Sequence, residues 1–129
     1  MKIEIEALPP EEWSPNWRGS PIERYRAGKM YQQMVFYSCV SARNLAMRQP
    51  GGWVPFQVAR LDLTFVFREH RERDEDNLRA RFKPGQDSLV QAGFIKTDTQ
   101  RHLILGDINI LVDPDRAPLT IIELEEANV

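Results

Sequence analysis

The chain has 129 residues, 42% hydrophobic and 28% charged, the composition of one globular domain rather than of a disordered segment. No apolar run approaches the roughly 20 residues that span a bilayer, the opening MKIEIEALPPEE lacks a signal-peptide layout, and the single Cys39 excludes a disulfide framework or a Cys-rich zinc module. The formal net charge of -2 hides an asymmetry, because residues 13–105 carry 15 basic and 9 acidic side chains between two acidic ends. A soluble, cytoplasmic protein without a membrane partner is expected. Its basic middle, mostly arginine, permits a polyanionic partner without demanding one.

Lys2 to Leu8 alternates apolar Ile3, Ile5 and Ala7 with Lys2, Glu4 and Glu6, which predicts a half-buried strand ended by Pro9-Pro10. A loop with Trp13, Ser14-Pro15-Asn16 and Trp17 follows. Ser20-Pro21-Ile22-Glu23 reads as a helix start, with Ser20 as cap, Pro21 in the first turn and Glu23 completing a capping box. Met30, Met34, Tyr37, Ser41 and Leu45 then fall at helical spacing, predicting a helix to about Met47 with these residues on its buried face. Gln57 to Phe67 alternates again and predicts a second strand.

After the charged stretch Arg68–Asp76, Leu78, Phe82, Leu89 and Val90 predict a second helix, interrupted near Pro84 and closed by Gly93. His102–Val112 and Pro118–Leu124 predict two more strands, joined as a hairpin through Asp113-Pro114-Asp115-Arg116. The expected architecture is α+β. It is a single domain over residues 1–129, in the order β-α-β-α-β-β, with two helices packed on a mixed four-stranded sheet.

The chemistry concentrates between Arg73 and Asp98. On extended chain Asp74 and Asp76 would point to the same side, and two carboxylates held together call for a cation such as Mg²⁺ between them. Asp98 follows the second helix, which can return it to the same end of the sheet. Lys83, two helical turns beyond Asp76, is placed to neutralise a phosphate, or else to pair with Asp87 one turn on. The bland reading of Asp74 is a helix N-cap. An EF-hand is excluded, since Arg79 stands where the loop glycine belongs and Gly85 where the closing glutamate belongs. His70 and His102 lack zinc-ligand spacing, and Cys39 reads as a buried apolar side chain. Trp13, Trp17 and Trp53 read as exposed candidates for an interface or for DNA stacking, with core packing as the alternative.

Arg73-Asp74-Glu75-Asp76-Asn77-Leu78, Phe82-Lys83-Pro84, Asp87-Ser88-Leu89-Val90, Ala92-Gly93-Phe94-Ile95 and Asp98 together resemble the RusA family of Holliday junction resolvases, a family common in phages and prophages. Leu8-Pro9-Pro10 with Ser14-Pro15-Asn16 resembles that family's loop after its first strand. The resemblance implies a homodimeric, Mg²⁺-dependent endodeoxyribonuclease, with Mn²⁺ as an alternative ion, that resolves four-way DNA junctions by paired symmetric nicks in recombination and repair. It implies Asp74, Asp76 and Asp98 as metal ligands and Lys83 as the essential lysine, and it places Asn16 near the substrate. Arg71, Arg73, Arg79 and Arg81 are candidate phosphate contacts by proximity to this segment. Where family members often carry paired aspartates, this chain has Thr97-Asp98. That departure motivates a second expectation, a branched-DNA-binding protein of the same fold with little or no cleavage. A nuclease of broader taste, for flaps and forks, is a third.

Overall fold

The computed structural model describes residues 1–127. Four strands, β1 (Lys2–Ile5), β2 (Ala59–Phe67), β3 (Leu103–Val112) and β4 (Leu119–Glu126), form one mixed sheet in the order β1-β4-β2-β3. Three helices accompany it: α1 (Pro21–Met47), α2 (Glu75–Arg81) and α3 (Lys83–Gln91). The α+β class follows as expected.

The start of α1 is where its capping residues put it. Ser20 Oγ accepts the Glu23 backbone N–H at 3.2 Å, and Pro21 occupies the first turn, where no intrahelical N–H partner is needed. Its buried face differs from the expected one. Gly28, Tyr31, Val35 and Cys39 face the core, whereas Met30, Tyr37 and Leu45 are exposed. Both stripes have helical spacing, so periodicity alone does not choose between them. Contact across the helix does: a Cβ at Gly28 would collide with the Trp13 ring, so only the glycine face admits that loop. Burial pushes the Cys39 thiol up to about 12, in keeping with an inert core side chain.

β1 is shorter than expected, because the chain turns after Ile5, where Ala7 N–H donates to the Ile5 carbonyl at 2.8 Å. β2 is buried along nearly its whole length and takes a central position. It pairs parallel with β3 and antiparallel with β4. The predicted β3–β4 hairpin is therefore corrected: β2 lies between these two strands, and residues 113–118 cross its end. Asp113 N–H donates to the Phe67 carbonyl at 2.8 Å and Arg68 to the Pro114 carbonyl at 3.3 Å, fixing the crossing. Between β3 and β4 the backbone groups of β2 are paired along both edges, an arrangement that adjacency of β3 and β4 in sequence does not reveal.

The second helical pattern is two helices rather than one. The break falls at Phe82, which ends α2 and precedes α3, and Pro84 sits in the first turn of α3. Proline is tolerated there because its missing N–H has no intrahelical partner, and it disfavours continuous helix through the preceding residue. At the far end Gly93, at φ +78°, donates to the Val90 carbonyl and Phe94 N–H to the Leu89 carbonyl, both at 3.0 Å. This is a Schellman closure with Phe94 and Leu89 both in the core. It reverses the chain, so that residues 95–98 run back along α3.

The three tryptophans are half-buried rather than exposed. Trp13 lies under the Arg24 guanidinium, 4.4 Å from its ring centroid, and Trp53 packs on Phe94 at 5.1 Å. Among the described residues no helix is long and apolar enough to cross a membrane.

Candidate active site

Asp74 caps α2. Its carboxylate accepts the Asp76 backbone N–H at 2.9 Å, and Glu75 and Asp76 stand in the first turn, where the helix dipole favours negative charge. The extended Asp-x-Asp arrangement is thus corrected: Asp76 is helical, and the two carboxylates do not share a strand face. The capping role is the one that Asp74 plays here.

The reversal after α3 brings Asp98 to Lys83. The Lys83 ammonium donates to Asp98 Oδ2 and, at 2.9 Å, to Asp87 Oδ1 one turn along α3. Burial works against the lysine's charge, but the hydrogen bonds to Asp98 and Asp87 outweigh it and raise its pKa above the ordinary value. Reciprocally, the hydrogen bond from Lys83 outweighs burial and holds the Asp98 carboxyl below its usual range, with Gln86 contributing.

Two cavities flank this group, one lined by Lys83 and the other by Asp87 and Asp98. One, of about 490 Å³, is lined by Trp13, Pro15, Arg24, Asp76, Arg79, Ala80, Lys83 and Gln86. The other, of about 350 Å³, is lined mainly by polar side chains, among them Asp87, Lys96, Thr97 and Asp98. Asp76 and Lys83 therefore share one cleft, and Asp98 reaches Lys83 from the neighbouring one. The N-terminal loop forms one wall of the first cleft through Trp13 and Pro15. Asn77 Nδ2 donates to Ser14 Oγ at 2.7 Å, which ties the loop to α2 beside Asp76. Asn16 is exposed in the same loop, its backbone N–H donating to Ser14 Oγ at 3.2 Å.

The four arginines separate by environment. Arg71 is exposed. Arg73 stacks 3.6 Å from the centroid of Phe67 and donates to the Glu69 and Arg71 carbonyls. Arg79 lines the cleft while one of its amines donates to the Gly106 carbonyl at 3.0 Å. Arg81 is half-buried, donates to the Pro9 carbonyl at 2.6 Å, and has an Nε that finds no hydrogen-bond partner among the described residues. Arg81 thereby holds the N-terminal loop rather than facing solvent.

Carboxylate oxygens are the donors a hard divalent ion takes, so Asp76 and Asp98 fit Mg²⁺ or Mn²⁺ in chemistry, with Asp74 adjacent. Among the described residues, however, no three His, Cys, Asp or Glu side chains are grouped so as to hold a metal ion. The cation that Asp98 meets in this conformation is Lys83. Spacing made the Lys83–Asp87 pair readable in the sequence. The Ser14–Asn77 bond, 63 residues apart, and the Asp98 contact depend on loop paths that carry no local signal. No family model matches the sequence, and no curated protein matches it.

Proposed function

We propose that this protein is a divalent-metal-dependent endodeoxyribonuclease acting on branched DNA, the four-way junction above all, as a soluble cytoplasmic homodimer. The observation that carries the reading is the Lys83–Asp98 pair set against the cleft that Asp76 and Arg79 line. Phosphodiester hydrolysis needs carboxylates together with a cationic group that can meet the charge developing on phosphate; Asp76 and Lys83 line one cleft, and Asp98 reaches Lys83 from the neighbouring cavity. A divalent ion held by Asp76 and Asp98, when bound, supplies activated water and charge neutralisation.

The chain's own residues supply the rest. Lys83, kept protonated by its carboxylate partners, donates to a phosphate oxygen as negative charge grows there. Arg79 gives the same wall a second cation, anchored through Gly106. The Trp13-Ser14-Pro15 loop, pinned by Asn77, bounds the cleft and orients the strand. A four-way junction has near two-fold symmetry, so a C₂ dimer presents one such cleft to each of two strands. The resemblance to the RusA resolvases points the same way.

One observation favours the second reading, DNA binding without turnover: Asp98 is engaged by Lys83, and the three aspartates form no ready cage. The test compares cleavage of a labelled synthetic four-way junction with that of matched linear duplex, in Mg²⁺ and in EDTA, with Asp76→Asn as control. Paired symmetric nicks on the junction, absent with EDTA and in the variant, are expected. Tight binding with no cutting in Mg²⁺ or Mn²⁺ replaces the nuclease by a binding protein, and equal cutting of duplex replaces the junction as substrate.

A further inference from the structure

We propose that Asp87 is a positioning residue, which keeps the Lys83 ammonium on the cleft wall when Asp98 turns to another partner. The inference rests on the nuclease reading above for its consequence, but not for its geometry.

Lys83 donates to two carboxylates that differ in how they are carried. Asp87 stands on α3 itself, four residues on, so the helix fixes its distance from Lys83 whatever the loops do. Asp98 belongs to the returning segment beyond Gly93 and reaches Lys83 from outside the helix. An ammonium has three N–H donors. Asp87 and Asp98 take two of them, which leaves one for the cleft that Lys83 shares with Asp76.

The two partners therefore have separable duties. Were Asp98 to hold a divalent ion, Lys83 would lose one hydrogen bond and would meet the ion's positive charge. A solvated lysine left alone there would swing into solvent, since its side chain is 45% exposed. The Asp87 carboxylate opposes that departure. It lies away from the Asp76 cleft and lines the adjoining cavity, so it holds the ammonium from behind rather than competing for the phosphate in front. Asp87 acts through Lys83 and touches no reacting atom.

Two measurements on the full chain test this. The first is a double-mutant cycle on single-turnover junction cleavage in saturating Mg²⁺, with junction affinity read separately in Ca²⁺. Asp87→Asn is expected to slow cleavage about tenfold or more and to leave affinity within about twofold, while Asp87→Glu recovers most of the rate. In a Lys83→Met background the Asp87→Asn change is expected to add nothing. An unchanged rate in Asp87→Asn, or the same loss in both backgrounds, overturns the proposal.

The second measurement needs neither cleavage nor metal. The chain has four lysines, so the Lys83 ammonium is assigned in the NMR spectrum of ¹⁵N-lysine-labelled protein by its loss in Lys83→Met. In Asp98→Asn the signal is expected to persist, held by Asp87, and to vanish when Asp87→Asn is added. Its loss in Asp98→Asn alone overturns the positioning role. Should the wild-type protein bind junctions without cutting, the nuclease reading fails while this spectrum still decides the role of Asp87.

Discussion

Lys83 is bonded to Asp98, and under the proposed function a metal ion held by Asp98 would compete with the lysine for that carboxylate. Removing the lysine has opposite effects on two observables. Lys83→Met is expected to tighten Mn²⁺ binding by about an order of magnitude, because a neighbouring positive charge is lost. The same change is expected to slow junction cleavage about 10²–10³-fold, to a residual rate that single-turnover assays still read. Paramagnetic resonance titration of free Mn²⁺ checks the first and the junction assay the second; weaker Mn²⁺ binding in the variant would show that the two do not compete. The pair also sets an acid limit on stability. The Asp98 carboxyl titrates below its ordinary 3.8, chiefly through the Lys83 hydrogen bond. A depressed carboxyl stabilises the fold above its unfolded pKa, and that contribution disappears as pH falls through the folded value. Asp98→Asn should therefore cost no more than about 1 kcal/mol at pH 7, given the partial exposure of both groups. In urea unfolding at pH 7, 4 and 2.5 the gap should close toward the lowest pH; a constant gap means that Asp98 acts through packing.

At the scale of elements, what the sequence made legible is what local chemistry decides. The Ser20 cap with Pro21 behind it, the alternation in β2 and the Gly93 stop each act within a few residues and appear where expected, although of the capping box only the Ser20 half is made among the described residues. Strand order and the buried face of α1 are decided by packing between distant segments. The β3–β4 turn residues describe a chain reversal but not which strand lies beside which. The site divides in the same way: Asp74 as a cap and Lys83–Asp87 follow from spacing, whereas the meeting of Lys83 with Asp98 follows from the Schellman reversal. One inter-element link is open to measurement. Tyr31 on α1 donates its hydroxyl proton to Thr120 Oγ1 on β4 at 3.0 Å, and Thr120 donates in turn to the Ala7 carbonyl at 2.7 Å. This buried relay joins α1 to the sheet and to the segment after β1, and burial raises the tyrosine pKa well above its ordinary value. Tyr31→Phe removes one hydrogen bond without opening a cavity, so a loss of about 1–1.5 kcal/mol in urea unfolding is expected. A loss beyond about 3 kcal/mol would mean that the hydroxyl organises more than this pair.

Across the whole molecule the charges are sorted by layer. β4 carries Glu123, Glu125 and Glu126 with no basic partner on the strand, while α1 carries Arg24, Arg26, Lys29 and Arg43 against Glu23 alone. α1 therefore offers a polyanion its cations despite the net charge of -2, whereas residues 68–76 set three arginines among five carboxylates. Within that field, Arg71 and Arg81 are chemically identical and structurally opposite. Arg71 is exposed and available to phosphate. Arg81 is spent on the Pro9 carbonyl, and burial lowers its pKa ahead of the supporting charges of Glu11, Tyr31 and Glu12. Each phosphate contact releases counterions, and the slope of log affinity against log salt changes by about 0.9 per contact. Arg71→Ala is thus expected to make the slope for junction binding about one contact shallower, with the melting temperature unchanged. Arg81→Ala should do the reverse, leaving the slope alone and lowering stability by about 1–3 kcal/mol, because the Pro9 carbonyl loses its donor and the N-terminal loop its tether. Fluorescence anisotropy over a salt series, paired with thermal melts of both variants, separates the two roles. Were Arg81→Ala to reduce the slope at full stability, the buried arginine would have to leave its carbonyl on binding DNA, and the loop of Trp13, Ser14 and Pro15 would have to move with it.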